Sequence, residues 1–261
     1  MGFLLFINNG IIIIMDKDME TNYEQALLMA KFSSLAYKDN QSFKQYGYDS
    51  IFLSKDGTQA YFLWDINNII IVCRGTQPTE WSDIKADIKF QLVPSLDNFG
   101  HVHEGFRHSV DNIWLDLLIL FKKYGTNRKV WCTGHSLGAA MATLIATRSH
   151  QIISLPNPIL YTFGSPRVGN QEYIDHMNRL KIEHHRFVNN ADMVTRSPVC
   201  PYVHHGELCY FDHNGKITKM TNWQITKDRL KGFWIGIKRG KVNFFVNHFI
   251  ERYIENLEAV K

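Results

Sequence analysis

The spacing of apolar residues along this chain predicts strands and helices that alternate over most of its length. Continuous apolar runs between turn residues indicate buried strands, and apolar residues three and four positions apart indicate helices with one buried side. Strands are predicted at 51–53, 60–64, 69–73, 129–133, 158–163, 185–188, 207–211 and 216–220. Helices are predicted at 23–37, 106–124, 139–146, 171–180 and 246–260. This alternation is typical of an α/β fold with a mostly parallel central sheet and helices on both faces.

The segment before residue 21 does not continue this pattern. Residues 2–15 are apolar but are interrupted by Asn-Asn-Gly at 8–10. The segment has no basic leading region and no small-residue cleavage site, so it is a poor signal peptide, and it is too short to span a bilayer. We expect an N-terminal extension at 1–20, with Met15 or Met19 as alternative starts, and a single α/β domain at 21–261. We also expect a cytoplasmic location with peripheral association with membranes.

A candidate nucleophile lies where the strand at 129–133 meets the following helix. The sequence Gly-His-Ser-Leu-Gly at 134–138 matches G-x-S-x-G in the strand–turn–helix context that marks a nucleophilic serine. Small residues dominate the helix at 139–146, so the helix can lie close to the sheet. Ser136 is therefore predicted to be the nucleophile of an α/β-hydrolase.

A serine nucleophile needs a histidine to accept its proton and an acid to orient that histidine. In the α/β-hydrolase order the acid follows the serine, in a loop just past a strand. Asp192 follows the strand at 185–188 and fits this position. Asp175 lies inside a predicted helix and Asp212 in a predicted hairpin turn, which are ordinary places for a solvated carboxylate, so Asp192 is favoured.

The choice of histidine is less direct, because four histidines follow Asp192. His248 lies at the entry to the last predicted helix, where this architecture delivers its base, and it is the favoured candidate. His204 and His205 stay open as alternatives, although a neutral structural role is the default for such a pair. His213 lies in the predicted hairpin turn and is expected to be solvated.

The oxyanion of the reaction needs two preorganised donors. The first is the backbone N–H of Leu137, the residue after the nucleophile. The second is expected from the loop after the strand at 69–73, which begins Arg-Gly-Thr at 74–76. Thr76 offers both an N–H and a hydroxyl, and the alternative is that this loop is a plain strand-ending turn.

Composition excludes several classes of function. The 261 residues are 45% hydrophobic and 21% charged, as in globular domains. A net charge of +4 is too small and scattered to indicate nucleic acid, although it mildly favours anionic surfaces such as acidic lipid head groups. The Cys and His spacings match no zinc site, and a serine mechanism needs neither a metal nor an organic cofactor, so none is expected. Cys73 and Cys132 are predicted core thiols, whereas Cys200 and Cys209 flank a loop and are left open as a pair.

Four stretches taken together resemble the class 3 lipase family, which includes the fungal lipases of the Rhizomucor type. They are Cys-Arg-Gly-Thr at 73–76, Val-His-Glu-Gly-Phe at 102–106, Thr-Gly-His-Ser-Leu-Gly at 133–138 and Thr-Phe-Gly-Ser-Pro-Arg-Val-Gly-Asn at 162–170. Weaker agreement occurs at 189–194 and 247–253. The resemblance runs from about residue 21 to about residue 257, and the order of the stretches makes it specific. It implies a lipase-type α/β-hydrolase fold.

The resemblance assigns Ser136, Asp192 and His248 to a catalytic triad, with Thr76 and Leu137 as oxyanion donors. The chain departs from the family pattern at three positions, and none of the proposed catalytic residues is missing. The chain has Ala139 where a glycine is frequent, Met193 where a proline follows the acid, and Asn247 where an aspartate precedes the histidine.

The resemblance also implies that residues 77–90 form a lid over the site. Trp81, Ile84, Ile88 and Phe90 fit an amphipathic cover that hides its apolar side in water and exposes it to lipid. The alternative for Trp81 is plain core filling.

Together these features predict a serine carboxylic ester hydrolase of the lipase type. It is expected to hydrolyse acylglycerols or related lipid esters through an acyl-serine intermediate. The alternatives are an esterase or phospholipase acting on polar or short-chain esters, and a catalytically silent lipid-binding or scaffolding member of the family. The expected partners are a lipid or ester substrate and a lipid interface, and the oligomeric state is left open.

Residues 227–241 interleave basic and aromatic side chains, as interfacial membrane segments do. The alternative is an ordinary helix whose basic side chains extend along its surface.

Overall fold

A computed structural model describes residues 3–8, 11–38, 42–75, 91–96, 98–125, 127–153, 157–238 and 246–260. Only the backbone is described for residues 3–8, 11–22, 152 and 236–238. The strands are β1 (Phe3–Asn8), β2 (Ile11–Asp16), β3 (Asp49–Lys55), β4 (Thr58–Trp64), β5 (Asn68–Cys73), β6 (Leu92–Pro94), β7 (His101–His103), β8 (Lys129–His135), β9 (Ile159–Phe163), β10 (Glu183–Asn189) and β11 (Glu207–Phe211). The α-helices are α1 (Lys17–Leu35), α2 (Glu104–Tyr124), α3 (Leu137–Ile153), α4 (Gln171–Arg179), α5 (Asn222–Lys238) and α6 (Ile250–Glu258).

Seven of these strands form the central sheet, in the order β11-β10-β9-β8-β5-β4-β3. Neighbouring strands from β11 through β5 run parallel, whereas β4 pairs antiparallel with both β5 and β3. Strands β1 and β2 form a separate hairpin, and β6 and β7 form a second short one. The predicted α/β class with a mostly parallel sheet is therefore confirmed.

Helices cover both faces of this sheet, because its central strands are apolar on both sides. Along β5, Ile70 and Val72 contribute to the core beneath α1 and α6, while Ile69 and Ile71 contribute to the opposite core. That second core is closed by α2, α3 and α4. A continuous apolar run is the pattern expected for a strand buried on both faces.

Several predicted elements differ from the observed ones. Helix α1 begins at Lys17 rather than Tyr23, so it runs through the boundary expected at residue 20, and the division into extension and domain stays a prediction. The predicted strand at 216–220 is wrong, because this segment forms only a single bridge from Ile217 to Phe211. The predicted helix at 246–260 is a 3₁₀ turn at Val246–His248 followed by α6. None of the described helices is both long enough and apolar enough to cross a membrane.

Candidate active site

Ser136 lies on a strained turn between β8 and α3. Its φ is 61°, a left-handed conformation that non-glycine residues rarely adopt. The turn is held from the neighbouring strand, because the Ser136 N–H donates a hydrogen bond of 3.0 Å to the carbonyl of Phe163. Such a turn lifts the serine side chain out of the sheet at the carboxyl end of β8, as the G-x-S-x-G pattern predicts.

Two glycines let backbone segments approach this turn. A Cβ on Gly138 would overlap the carbonyl of Cys73, so α3 begins directly against the end of β5. Gly164 has a φ of 60°, and a Cβ there would lie 2.9 Å from Asp192 Oδ2 and 3.0 Å from the His248 ring. The family-like stretch at 162–170 therefore passes beside the predicted triad, and a larger residue at Gly164 would meet both strain and crowding.

Ser136, His248 and Asp192 form a continuous chain of hydrogen bonds. His248 Nε2 lies 2.8 Å from Ser136 Oγ, and His248 Nδ1 lies 2.9 Å from Asp192 Oδ2. All three residues are fully buried. Asp192 follows β10, and His248 ends the 3₁₀ turn before α6, so residues distant in the chain meet at one edge of the sheet. The arrangement can transfer a proton from the serine hydroxyl to an imidazole that a carboxylate orients.

Tyr253 and the backbone hold the carboxylate of Asp192 in place. The Tyr253 hydroxyl donates to Asp192 Oδ2 at 2.6 Å and accepts from the Asn189 N–H at 3.2 Å, while the Val194 N–H donates to Oδ1 at 2.9 Å. Burial and then the charge of Asp192 raise the pKa of Tyr253, so the phenol stays protonated. Tyr253 ends the family-like stretch at 247–253, and only the packing of α6 reveals its contact with Asp192.

His135, the second residue of the nucleophile motif, holds the backbone of the candidate base. Its Nε2 lies 2.5 Å from the carbonyl oxygen of His248, and its Nδ1 lies 2.7 Å from the Tyr37 hydroxyl. Because a carbonyl only accepts, Nε2 carries the proton and Nδ1 accepts from Tyr37. Burial lowers the pKa of His135 well below the usual histidine value, which keeps the ring neutral. No local pattern in the sequence connects Tyr37 with this site.

Leu137 is the first residue of α3, and N–H groups in the first turn of a helix are not used within the helix. Its N–H follows the candidate nucleophile directly and is not used by the helix, and its role as an oxyanion donor stays a prediction. Thr76, the second predicted donor, lies outside the described residues. The same holds for the four predicted lid residues, Trp81, Ile84, Ile88 and Phe90, and their roles stay predictions.

The alternative histidines are engaged elsewhere. His204 Nε2 lies 2.7 Å from the carbonyl oxygen of Thr195. His205 Nδ1 lies 3.1 Å from Nδ1 of the buried His184. The expectation that His213 is solvated is wrong, because its side chain is largely buried and its Nδ1 lies 2.5 Å from Asp228 Oδ1. The structure therefore brings only His248, among the four histidines after the acid, into contact with Ser136.

The alternative acids and the cysteines also lie apart from the triad contacts. Asp175 is exposed on α4 and accepts a hydrogen bond from a glutamine of the same helix, while Asp212 accepts backbone hydrogen bonds within its own turn. Cys200 and Cys209, which the sequence left open as a pair, are both free thiols. Over the described part of the chain, no group of three or more His, Cys, Asp or Glu side chains is arranged to hold a metal ion.

Comparison with known proteins identifies relatives of this site and fold. The model of a family described as lipase (class 3) matches residues 70–202, which is just over half of the chain. The lipase of Rhizomucor miehei is 35% identical over 161 residues, which cover 58% of this chain and 43% of that protein. The toxin TseL of Vibrio cholerae is 28% identical over 214 residues, covering 66% of this chain and 32% of the toxin. The chain thus spans less than half the length of these curated relatives.

Solved structures give the same result for the fold. A propeptide complex of the Rhizomucor miehei lipase superposes with a TM-score of 0.65 at 27% identity, covering 74% of this chain and 67% of that one. A lipase from Rhizopus microsporus var. chinensis gives a TM-score of 0.64 at 25% identity, covering 73% of this chain and 74% of that one. The sequence-based resemblance is therefore confirmed.

Proposed function

Because the chain belongs to the class 3 lipase family, we propose that it is a serine ester hydrolase of the lipase type. The observation that carries this proposal is the hydrogen-bonded chain from Ser136 Oγ through the His248 ring to Asp192 Oδ2. A catalytically silent lipid-binding or scaffolding member would have no need to keep this buried chain intact. In a triacylglycerol lipase of related structure, 25% identical to this chain, a serine protease triad forms the catalytic centre.

The proposed reaction proceeds through an acyl-enzyme. Ser136 Oγ attacks the ester carbonyl while His248 Nε2 accepts the hydroxyl proton, and Asp192 stabilises the resulting imidazolium. The imidazolium then returns this proton to the departing alcohol, leaving the acyl group on Ser136. A water molecule attacks this acyl group, gives its proton to His248, and releases the carboxylic acid with the serine restored. As the acyl–serine bond breaks, the His248 imidazolium passes the proton taken from water to Ser136 Oγ, so the proton that left with the alcohol is replaced by one from water.

The tetrahedral intermediates carry a negatively charged oxygen. We propose that the Leu137 N–H and Thr76 donate hydrogen bonds to it. Each preorganised donor of this kind contributes about 2.7–4 kcal/mol to the stabilisation of the transition state. The strained turn at Ser136 favours this arrangement, because it places the nucleophile and the beginning of α3 side by side.

We propose acylglycerols or related lipid esters as the substrates. The lipase relatives support this choice, and Phospholipase A1-IIalpha of Arabidopsis thaliana, 28% identical over 181 residues, keeps a phospholipid substrate as the second candidate. Rates on soluble p-nitrophenyl esters of increasing chain length, measured with and without an emulsion, separate the lipase from a plain esterase. A rate that does not rise when the emulsion is present would contradict a lipase whose lid opens at the lipid interface. The cytoplasmic location and the peripheral contact with a lipid interface stay predictions.

Covalent labelling with a fluorophosphonate probe tests the triad directly. The wild-type chain should be labelled at Ser136, as mapped by mass spectrometry, and the variants Ser136→Ala and His248→Ala should lose labelling. The matched control is His204→Ala, which removes the histidine that is hydrogen-bonded to the Thr195 carbonyl. This variant should still be labelled. Labelling that survives His248→Ala but not His204→Ala, in proteins with unchanged circular dichroism, would show that the base is wrongly assigned.

A further inference from the structure

Helix α5 presents two chemically different sides. Its inner side is buried against the sheet edge, where Ile225 packs with Val188 and Tyr210. The opposite side carries large apolar side chains that are exposed to solvent: Trp223 is 66% exposed, Leu230 55% and Trp234 59%. Exposed tryptophans are costly to leave in water, so this side requires an explanation.

Trp223, Lys227, Leu230 and Trp234 are spaced by four, three and four residues, which aligns them along one side of a helix. Lys231 is exposed beside this row. We call these five residues the outer face of α5. The Lys227 ammonium lies 5.1 Å from the Trp223 ring, so basic and aromatic groups are interleaved rather than separated.

The charge on α5 is one-sided. The helix contains four basic residues and a single acid, Asp228, and that acid is buried. Asp228 is also fully engaged, because its carboxylate accepts hydrogen bonds from Tyr210, Asn190 and His213. The outer face therefore offers apolar rings and positive charge with no carboxylate among them. Interfacial helices on anionic membranes have this composition.

The inner side of α5 ties this surface to the catalytic edge. Asn190, two residues before Asp192, donates through Nδ2 to Asp228 Oδ2 at 2.7 Å. The Arg229 Nε–H in turn donates to the Asn190 carbonyl at 2.9 Å. The helix is thus joined directly to the loop that delivers the candidate acid.

We propose that the outer face of α5 is the surface by which this protein docks on an anionic lipid surface. The inference rests on the proposed function for the identity of the surface, since a lipase meets its substrate in lipid. The tryptophans and Leu230 enter the head-group region, and Lys227 and Lys231 pair with anionic head groups. Docking through α5 anchors to the lipid the helix that is hydrogen-bonded to the Asn190 loop.

Vesicle binding tests this proposal without any need for hydrolysis. Binding is measured by co-sedimentation in a Ser136→Ala background, on phosphatidylcholine vesicles with and without phosphatidylglycerol. The binding result can therefore be interpreted even if the protein does not hydrolyse esters. Loss of binding, in turn, would not contradict the proposed triad. Neutralising Lys227 and Lys231 to glutamine should weaken binding to anionic vesicles by about 25-fold, at about fivefold per lysine, and change binding to neutral vesicles little.

Replacing Trp223 and Trp234 with alanine should weaken binding to both kinds of vesicle. The matched control is Leu115→Ala with Ile119→Ala on α2, which removes two apolar side chains that are 66% and 56% exposed and also lie four residues apart. This control should bind as the background protein does. Equal losses in the control and in the α5 variants, or no loss in the α5 variants, would overturn the proposal.

Two further measurements separate docking from misfolding and from self-association. Changing Trp223 and Trp234 to phenylalanine should preserve binding but reduce the quenching of tryptophan fluorescence by brominated lipids, and unchanged quenching would place the contact elsewhere. Analytical ultracentrifugation tests the other occupant, a second copy of the chain. A dimer that the alanine variants dissociate, with vesicle binding unaffected, would make this face a self-association surface and refute lipid docking.

Discussion

Changing Asp192 to asparagine should disable the base while leaving the shape of the site intact. In the wild type, Asp192 Oδ2 accepts from His248 Nδ1 at 2.9 Å and from the Tyr253 hydroxyl at 2.6 Å. Its other oxygen accepts from the Val194 N–H at 2.9 Å. Asparagine replaces one of these oxygens with an NH₂ group, so one set of contacts must change.

The surroundings decide which contacts change. Directing the NH₂ group at the Val194 N–H would oppose two donors, and a backbone N–H cannot become an acceptor. The NH₂ group therefore takes the place of Oδ2, where a phenol and an imidazole can both switch to accepting. His248 then accepts at Nδ1 and carries its proton on Nε2. In that tautomer Nε2 donates to Ser136 and cannot take the serine proton.

The wrong tautomer should lower kcat by about 10⁴-fold, which corresponds to about 5.5 kcal/mol in the activation free energy. The assay is hydrolysis of soluble p-nitrophenyl butyrate, with the thermal midpoint measured on the same samples. Asp175→Asn is the matched control, because it makes the same chemical change on the exposed surface of α4 and should leave kcat unchanged. If a folded Asp192→Asn protein kept more than about a tenth of the wild-type rate, this account of the triad would be refuted.

Two further substitutions test the supports of the site, and a third tests a buried histidine outside it. Gly75→Ala should lower the free energy of unfolding by about 1–3 kcal/mol in urea titrations, because a Cβ would overlap the His135 carbonyl and the Tyr37 hydroxyl; an unchanged midpoint would contradict this packing. Tyr37→Phe removes the donor to buried His135 Nδ1 and should also cost about 1–3 kcal/mol, with a lower kcat for p-nitrophenyl butyrate; a stable, fully active variant would show that this hydrogen bond is dispensable. Burial, and then the charge of Arg186, lowers the pKa of His205 to about 4, so the unfolded chain binds the proton first and stability falls as the pH drops below the usual histidine pKa. His205 alone should cost about 2 kcal/mol between pH 7.5 and pH 5, and His205→Gln should reduce the pH dependence of urea unfolding by that amount; equal slopes in the two proteins would contradict it.

The sequence was sufficient to predict Ser136 as the nucleophile because the evidence for this candidate is local. An apolar strand, Gly-His-Ser-Leu-Gly and a helix rich in small residues are adjacent in the chain, and the left-handed turn at Ser136 follows from their order. The strand pattern likewise determined the fold class, since a run such as 69–73 is buried on both faces only in the middle of a sheet. Asp192 was favoured for the same kind of reason, because it directly follows a strand.

Local pattern failed where the outcome depends on a contact with another element. His213 was expected to be solvated because its own segment reads as a turn, but α5 delivers Asp228 to it. The strand expected at 216–220 was wrong although its neighbour β11 is present, because apolar spacing cannot show how far a segment stays paired with an edge strand. Only one bridge, from Ile217, forms there.

The sequence favoured His248 but left His204 and His205 open, and the tertiary structure decided which of them meets the serine and what holds it in place. His248 is 112 residues from Ser136 in the chain, Tyr253 is 61 residues from Asp192, and Tyr37 is 98 residues from His135. These contacts form where α1 and α6 pack side by side on one face of the sheet. Hydrophobic periodicity specifies that a helix packs through its apolar side, but not which strands it crosses. For this protein the sequence therefore determined the strand–turn–helix that carries Ser136, and the packing of elements distant in the chain decided which side chains contact it.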